Sequence, residues 1–586
     1  MSPRYLLVVL ADVSGQVPPS DFVRRRTGLE LAYSNRQMAV FVNPSCACIP
    51  LAEEGCILGY LFPRHGPARQ LGELTPSEER SIAKCSGDLL LRRFWGGYVA
   101  AISASDPVRI LRDPSGNFPC YFSEQDGLVL LASDAETIAA MSRSPIVDAE
   151  EIGRQLYRAF VPSPQTALRG IRELLAGFEL RLPGNLETQE LAWSPWDHVA
   201  PLEPAEIADR FARTVRHCVT AWGTTSARVL ISVSGGLDSS ILAAGLASAG
   251  ADAACLTMFT TDPGGDERPY ARALCTHLGL PLIERAYDIG DIDLEEPLGP
   301  NLPRPKDRTQ ANAYERVHER VALELGASAF MTGNGGDHVF GYSQSAAPVA
   351  DRFLSEGLGQ GVILSLLDVC RQTGCSIFDA CRQAWRLARG PANYRVRPNP
   401  LFLDMGFVAS IDPLVLHHPW LDAPPGALPG KAAHIANILR VQPNLEPSWG
   451  TRFPVLNPLV SQPIVEMCLA VPTWEMRAGG RDRSLARRAF ERELPPLILN
   501  RRVKGTPGRF AAQLLDHFRK DIRERLLGGR LAADGITDAS AVERVLAGER
   551  PVGDLERVRL LELVSAEAWI DHWTAQRQSL SVGPIP

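Results

Sequence analysis

The stretch with the clearest chemical signature is Ser234-Gly-Gly-Leu-Asp-Ser-Ser240, which follows an uncharged, β-branched run and opens a predicted helix. Its two glycines allow the backbone to approach phosphate oxygens, and backbone N–H groups at a helix start attract anions. Asp238 would repel phosphates unless Mg²⁺ lay between them, because hard oxygen ligands suit this ion. The loop lacks the Gly-Lys-Ser/Thr ending of a Walker A loop. The pattern predicts a phosphate-binding loop of another type.

The elements around this loop alternate between strand and helix. The run Val229–Val233 is short and apolar, as expected for a strand that is buried on both faces. Further predicted strands are Ala254–Phe259, Pro281–Arg285 and Ala327–Thr332, and the predicted helices are Ala205–Ala221, Ser239–Ser248, Glu267–Leu278 and Ala311–Leu325. This alternation indicates a parallel sheet with helices on both faces, and ligands bind at the carboxyl ends of such strands. The residues beyond this region look mainly helical.

The first part of the chain has a different pattern. Short strands broken by Gly, Pro and Asp, such as Tyr98–Ser103 and Leu128–Ala132, are typical of antiparallel sheets. The Pro- and Trp-rich stretch from Trp193 to Pro204 is predicted to be a linker. The sequence therefore predicts two domains, residues 1–195 and residues 205–586.

Ser234–Ser240 resembles the pyrophosphate loop of the asparagine-synthetase family, which cleaves ATP to AMP and pyrophosphate and activates a carboxylate as an acyl-adenylate. Other segments resemble the family in the same order: Leu256–Met258 with Asp266-Glu267, Thr332–Tyr342, Arg452–Pro458 and Arg502–Gly505. The resemblance covers about residues 205–510. It implies a PP-loop ATP pyrophosphatase domain (adenine nucleotide α-hydrolase-like) behind an N-terminal Ntn-hydrolase-like antiparallel sandwich, so the expected class is two-domain, α/β with α+β.

The resemblance also implies the site residues. Asp238 and Asp337, from separate loops, would hold one Mg²⁺, and Lys504 would face the α-phosphate and pyrophosphate; these three are the expected catalytic residues. The expected ATP-binding residues are Ser232, Ser234, Gly235, Gly236, Leu237, Asp238, Ser239, Met258, Thr332, Gly333 and Lys504. The rest of the basic run from Arg477 to Arg509 is predicted to be mostly a solvated helix face.

The N-terminal region resembles the family's glutaminase domain over Leu91–Ala132, chiefly at Trp95–Tyr98 and Arg112–Gly116. Glutamine hydrolysis in that family needs a cysteine as the mature first residue, whose thiol attacks the amide. This chain begins Met1-Ser2-Pro3 and its first cysteine is Cys46. Glutamine is therefore not expected to supply nitrogen, and the domain is predicted to be a scaffold or a surface for a partner or substrate.

Several amides could be the product. The strings Arg112–Gly116 and Trp193–Trp196 and the loop that contains Asp337 most resemble lasso peptide cyclases. Such an enzyme adenylates an Asp or Glu side chain of a precursor core peptide and joins it to the peptide's N-terminal amine, forming a macrolactam. β-Lactam synthetase-like cyclisation of a small molecule, ammonia-dependent asparagine synthesis and a non-enzymatic regulator are the alternatives. The lasso interpretation implies a precursor peptide, a leader peptidase and a leader-recognition protein as partners.

The base that deprotonates the attacking amine is left open. Asn334 stands where asparagine synthetases carry Glu and β-lactam synthetases carry Tyr, and an amide cannot act as a base. His338 and Glu446 are the candidates, whereas Arg452 and Asn457 are expected to be structural. A threaded peptide also needs a cavity much larger than one for aspartate, and the long stretch Leu354–Met405 is the predicted wall.

Composition excludes several other classes. The formal net charge of −6 gives no reason to expect nucleic acid as a partner, and no apolar run approaches the ~18 residues of a membrane span. The apolar stretch Tyr5–Ala11 is interpreted as a first strand. Twelve scattered cysteines without metal-ligand spacing are expected to be buried free thiols in a reducing bacterial cytoplasm.

Overall fold

A computed structural model describes residues 1–10, 16–85, 87–104, 107–142, 145–200, 206–260, 262–306, 308–446, 452–502, 508–548 and 550–579. Two antiparallel six-stranded sheets form the N-terminal part, in the strand orders β12-β8-β9-β1-β3-β2 and β14-β13-β7-β6-β5-β4, with β10–β11 as a separate pair. The strands are β1 (Tyr5–Leu10), β2 (Glu30–Ser34), β3 (Met38–Val42), β4 (Cys48–Pro50), β5 (Gly55–Pro63), β6 (Phe94–Ile102), β7 (Val108–Arg112), β8 (Tyr121–Gln125), β9 (Leu128–Ala132), β10 (Ile146–Val147), β11 (Leu168–Arg169), β12 (Arg172–Glu173), β13 (Phe178–Leu182) and β14 (Glu190–Leu191).

The first strand shows why this region lacks a simple alternation of apolar and polar residues. Leu7 and Val9 point into the core between the two sheets, while Leu6 and Val8 belong to a second core on the other face. Because successive side chains of a strand point to opposite faces, a sheet that is covered on both sides needs apolar residues at every position. The helices of this part are α1 (Ser20–Thr27), α2 (Pro76–Lys84), α3 (Asp88–Arg93), α4 (Ala135–Met141) and α5 (Ala149–Tyr157).

A five-stranded parallel sheet in the order β17-β16-β15-β18-β19 forms the centre of the second part. Its strands are β15 (Val229–Ser232), β16 (Ala253–Phe259), β17 (Leu282–Ala286), β18 (Ala329–Met331) and β19 (Val455–Leu456). The helices around it are α6 (Ile207–Gly223), α7 (Leu237–Ser248), α8 (Arg268–Leu278), α9 (Ala311–Leu325) and α10 (Gly336–Val339). The chain runs outward from β15 to β17 and then returns to the other side as β18. Ligands bind at such a switch point, outside the carboxyl ends of the strands.

Helices make up most of the remaining chain. They are α11 (Ala347–Glu356), α12 (Gln360–Thr373), α13 (Ile377–Arg389), α14 (Met405–Ser410), α15 (Pro429–Val441), α16 (Gln462–Ala470), α17 (Ser484–Ala489), α18 (Pro496–Leu499), α19 (Gly508–His517), α20 (Arg519–Gly528), α21 (Arg530–Ala533), α22 (Ala539–Leu546) and α23 (Asp554–Ser579). Among the described residues, no single helix has the length and apolar character to cross a membrane; α12 and α13 together meet that criterion only as a pair bent by 117°.

The two parts of the chain share their cores. Trp222 of α6 packs edge-on against Tyr60 and Phe62 of β5, with ring centroids 5.2 and 4.9 Å apart. The predicted linker is also packed where it is described, because Trp196 Nε1 donates a hydrogen bond of 2.9 Å to the carbonyl oxygen of Trp420. The C-terminal helices α19 to α23 contribute apolar side chains to the core that contains Leu6 and Val8 of β1. The relative placement of the two parts is therefore fixed by buried apolar contacts.

The prediction for the cysteines is partly wrong. All twelve are free, but Cys85 and Cys381 are exposed and three others are half-buried. Both exposed thiols lie at or within short helices on the surface, which the spacing of cysteines in the sequence did not indicate.

Candidate active site

The phosphate-binding loop connects β15 to α7 at the centre of the sheet. Gly235 adopts the left-handed region, with φ +59°, and a Cβ added there would lie 2.1 Å from Tyr270 Cβ. A side chain at this position is therefore excluded by both backbone conformation and space. Helix α7 begins at Leu237 and is buried nearly all round, which explains its small and apolar residues. Its N-terminus faces the loop and supplies backbone N–H groups to an anion.

The second glycine-rich loop interlocks with the first. A Cβ on Gly333 would lie 2.6 Å from the backbone nitrogen of Ser239, and one on Gly336 would lie 2.6 Å from Asp238 Cβ. The two glycines thus allow the loop after β18 to pack directly on the start of α7. This close approach brings Asp337, in α10, next to Asp238.

Both predicted magnesium ligands contact the same cation of the protein. Arg483 Nη1 lies 2.9 Å from Asp238 Oδ2 and also contacts Asp337 Oδ1, while Arg483 Nη2 lies 2.8 Å from Asp482 Oδ2. Although burial lowers the pKa of Arg483, the three carboxylates raise it above its ordinary value. The carboxylates of Asp238 and Asp337 thus both contact the Arg483 guanidinium at Nη1. Two carboxylates there, with phosphate oxygens and water completing the shell, fit the ligand preference of Mg²⁺.

The prediction that the basic run is mostly a solvated helix face is wrong for four arginines. Besides Arg483, Arg477 is buried and donates to the carbonyl oxygen of Ser345 at 2.7 Å, and Arg487 is buried and donates to that of Leu499 at 2.7 Å. Arg501 forms a bidentate pair with Glu267 at 2.6 Å and donates to the carbonyl oxygen of Ser234 at 3.0 Å. Arg501 therefore fixes the start of the phosphate-binding loop.

A cavity of about 1350 Å³ opens at the carboxyl edge of the sheet. Most of the predicted ATP-binding residues line it: Ser232, Ser234, Gly236, Leu237, Asp238, Ser239, Thr332 and Gly333, together with Asp337. Gly235 is turned toward Tyr270, and the side chain of Met258 packs on the apolar cluster between the sheet and α9. Lys504 lies outside the described residues. The role of all these residues in ATP binding stays a prediction.

Two hydroxyl groups at the cavity already have protein partners. Ser232 Oγ lies 2.7 Å from the Tyr314 hydroxyl, and Thr332 Oγ1 donates to Asn457 Oδ1 at 2.8 Å. Asn457 is buried, in line with its expected structural role. Arg452, in contrast, is exposed and pairs with Glu319 at 3.0 Å, as a surface residue would.

The far walls of the cavity come from several parts of the chain. They include residues 155–163 of the N-terminal part, residues 304–306 and one side of α23. The Leu354–Met405 stretch contributes only Arg371, Gln372, Arg397 and Asn399, so the predicted wall forms a smaller part of the cavity than expected. Basic side chains outnumber acidic ones around the lining, which suits a polyanionic ligand.

Both candidate bases line the cavity. Burial lowers the pKa of His338, against the effect of Asp337, so its imidazole is neutral at pH 7. Glu446 is buried and accepts a hydrogen bond of 2.6 Å from the Tyr121 hydroxyl. Asn334 also lines the cavity, and its side-chain amide donates to the carbonyl oxygen of Asn444 at 3.1 Å. His338 and Glu446 can each accept a proton, whereas Asn334 can only position a ligand.

Comparison with known proteins agrees with this geometry. The asparagine synthase family matches residues 206–400 and 448–571, together more than half of the chain. The chain belongs to the asparagine synthase family. Residues 81–193 match the glutamine amidotransferase domain. A search of curated proteins found no match. The family uses ATP with Mg²⁺, and the enzyme is an ATP-dependent ligase that forms an amide.

Proposed function

We propose that this ligase is a lasso peptide macrocyclase. It would adenylate an Asp or Glu side chain of a precursor core peptide and join that carbonyl to the peptide's N-terminal amine, releasing AMP and pyrophosphate. The proposal rests on the size of the cavity, because its volume of about 1350 Å³ exceeds the ~300–1,000 Å³ typical of small-ligand sites. Space beyond the nucleotide is thus available next to the loop that would bind its phosphates.

The described residues supply positioning and charge. Backbone N–H groups of the loop after β15 would hold the phosphates, and the Ser234 and Ser239 hydroxyls line the same region. Asp238 and Asp337 would hold a Mg²⁺ ion, which neutralises the charge that develops as pyrophosphate leaves. The Arg483 guanidinium, freed from these carboxylates, would be a further donor to phosphate oxygens.

Amide formation needs removal of a proton from the attacking amine. Glu446 and His338 face the cavity from different segments, so either could take this proton once the carbonyl has been activated. Holding the amine close to the acyl-adenylate would supply much of the rate enhancement, because positioning turns a bimolecular step into an intramolecular one. The precursor peptide would be the immediate partner, with a leader peptidase and a leader-recognition protein acting before it.

The test is a mass measurement. A candidate leaderless core peptide with an Asp or Glu side chain at a ring-forming position is incubated with the enzyme, ATP and Mg²⁺. We expect a product lighter by one water that resists carboxypeptidase, with AMP as the nucleotide product. An N-terminally acetylated peptide is the matched substrate control, because it offers no amine. Efficient conversion of free aspartate and ammonia to asparagine, with no loss of water from the peptide, would replace this proposal by the asparagine alternative. ADP as the product would end the adenylation mechanism.

A further inference from the structure

The segment after α5 has an unusual backbone where it enters the cavity. Ala159 and Phe160 both adopt positive φ angles, +51° and +73°, and neither is a glycine. The left-handed region is unfavourable for residues that carry a Cβ, and a phenyl side chain is seldom found there. Two such residues in succession therefore indicate a conformation that is imposed by the surroundings. Strain of this kind is concentrated at functional sites.

Three hydrogen bonds from the other part of the chain reach this segment. Arg440 Nε donates to the carbonyl oxygen of Ala159 at 3.1 Å, and Arg559 Nη2 donates to that of Leu156 at 3.0 Å. The backbone nitrogen of Asn399 donates to the carbonyl oxygen of Tyr157 at 2.9 Å. Helix α15 thus holds the loop, while helix α23 and the segment before α14 hold the last turn of α5, from which the loop begins.

The result of this arrangement is a phenyl ring at the cavity. Phe160 lines the cavity and is 49% exposed, whereas the next residue, Val161, is buried. Packing within the free protein therefore does not account for the aromatic side chain, since about half of its surface is exposed at a position that lines the cavity. An apolar ring among charged side chains gains most from a ligand that covers it with its own apolar surface.

We propose that Phe160 is a substrate-contact residue that selects an apolar side chain of the peptide. The inference rests on the proposed function and deepens it, because it gives the N-terminal part of the chain a place in substrate recognition. The nucleotide would occupy the end of the cavity near the phosphate-binding loop, and Phe160 would contact the peptide from the N-terminal wall. Loss of the ring should therefore weaken peptide binding and leave nucleotide binding unchanged.

Two variants distinguish the effect of the Phe160 ring from that of the positive φ angles. Phe160→Gly removes the ring and relieves the positive φ, whereas Ala159→Gly relieves strain and retains the ring. We expect F160G to raise the KM for the leaderless peptide about tenfold, with kcat and the KM for ATP nearly unchanged, the pattern of a lost binding contact. A159G should retain the wild-type KM, and neither variant should lower the melting temperature. Phe378→Ala, at a 75% exposed phenyl ring on α13, is the control for loss of an aromatic residue elsewhere.

Each outcome is informative. A wild-type KM for the peptide in F160G, or an equal rise in F160G and F378A, would overturn the role of Phe160 and leave the cyclase proposal standing. Failure of the wild-type enzyme to convert or bind any leaderless peptide would overturn both proposals. A rise in KM for A159G equal to that for F160G would show that the loop conformation, and not the ring, determines binding.

Discussion

The Arg483→Met substitution removes the guanidinium that contacts Asp238 of the phosphate-binding loop, Asp337 of α10 and the neighbouring Asp482. The side chains of Arg483 and Asp238 are only 13% and 12% exposed. Breaking a buried ion pair by removing one partner costs about 3–5 kcal/mol. Asp337 is 37% exposed and Asp482 keeps Arg487 at 3.0 Å, so these two carboxylates add little to the loss. We therefore expect R483M to be destabilised by about 3 kcal/mol when Mg²⁺ is absent.

Magnesium should reverse much of this effect. In the wild-type protein a divalent cation has to displace the Arg483 guanidinium before it can bind both carboxylates, whereas R483M lacks this guanidinium. If removal of the competitor tightens Mg²⁺ binding by tenfold, saturating Mg²⁺ stabilises the variant by about 1.4 kcal/mol more than the wild type. The variant should thus gain stability from Mg²⁺ more steeply than the wild type does.

The assay is thermal unfolding without nucleotide across a MgCl₂ titration, with NaCl at matched ionic strength to correct for screening. Arg488→Met is the matched control, because its pair with Glu475 at 3.1 Å is exposed and worth less than about 1 kcal/mol. R488M should resemble the wild type in stability and in its response to Mg²⁺. Equal stability and an equal Mg²⁺ response in R483M and wild type would refute the placement of the cation site at Asp238 and Asp337.

Further predictions address the loop, the metal ligands and pH. Gly235→Ala should weaken binding of an ATP analogue by more than tenfold, because the added Cβ would lie 2.1 Å from Tyr270 Cβ. Gly250→Ala is the control, because Gly250 is also left-handed but has nothing within 4 Å of an added Cβ. Equal affinities of the two variants for the analogue would contradict the clash. Asp337→Asn should abolish AMP formation with an unchanged circular dichroism spectrum, since an amide lacks the charge of a Mg²⁺ ligand; normal turnover would remove Asp337 from the mechanism. Stability toward urea should fall between pH 7 and pH 5, because burial lowers the pKa of three histidines to between about 3 and 4. In the unfolded chain these histidines have a pKa of about 6.5 and bind protons in this pH range, whereas in the folded chain they do not. Each histidine costs about 2 kcal/mol at pH 5, and two buried aspartates, whose pKa burial raises to about 6, oppose this by about 1.4 kcal/mol each. The histidines are His318, His418 and His434, and the aspartates are Asp113 and Asp351. An unchanged urea midpoint at pH 5 would contradict the net loss.

The central sheet was predictable because its signals are local. Helix α9 has the predicted bounds, and the glycines that end α8 and α9 adopt the left-handed cap conformation, with φ of +68° at Gly279 and +62° at Gly326. Strand β19 was not predicted. It has two residues, Val455 and Leu456, and its only described pairing is with β18, more than 120 residues earlier in the sequence. A strand this short has no periodic pattern of its own, so long-range pairing decides its structure.

Some residues of the candidate site could likewise be predicted from the sequence and others could not. Asp238 and Asp337 lie in glycine-rich loops whose spacing indicates their role, and the structure brings them together. Arg483 and Arg501 lie in a run of basic residues that looks like a solvated helix face. Two carboxylate partners of Arg483, Asp337 and Asp238, are 146 and 245 residues away, and the partner of Arg501, Glu267, is 234 residues away. Phe160 has no signal in the sequence, because its place at the cavity depends on how the loop after α5 lies against segments that are distant in the chain. The sequence thus predicted the groups that belong to a motif but not the groups that three-dimensional packing places around it.

Glu446 connects the two parts of the chain through buried charges. Its carboxylate accepts a hydrogen bond from the Tyr121 hydroxyl of β8 and lies 3.8 Å from Arg304. Arg304 also pairs with Glu173 of β12, and Glu173 pairs with Arg112 of β7 at 2.7 Å. Removing the N-terminal part would take away Tyr121 and Glu173 and leave Arg304 and Glu446 paired with each other at 3.8 Å, and the loss of partners from a buried charge network is destabilising. The N-terminal part therefore determines the position of a candidate base whether or not it hydrolyses glutamine. This structural dependence gives a physical reason for the ligase to keep the N-terminal part of the chain.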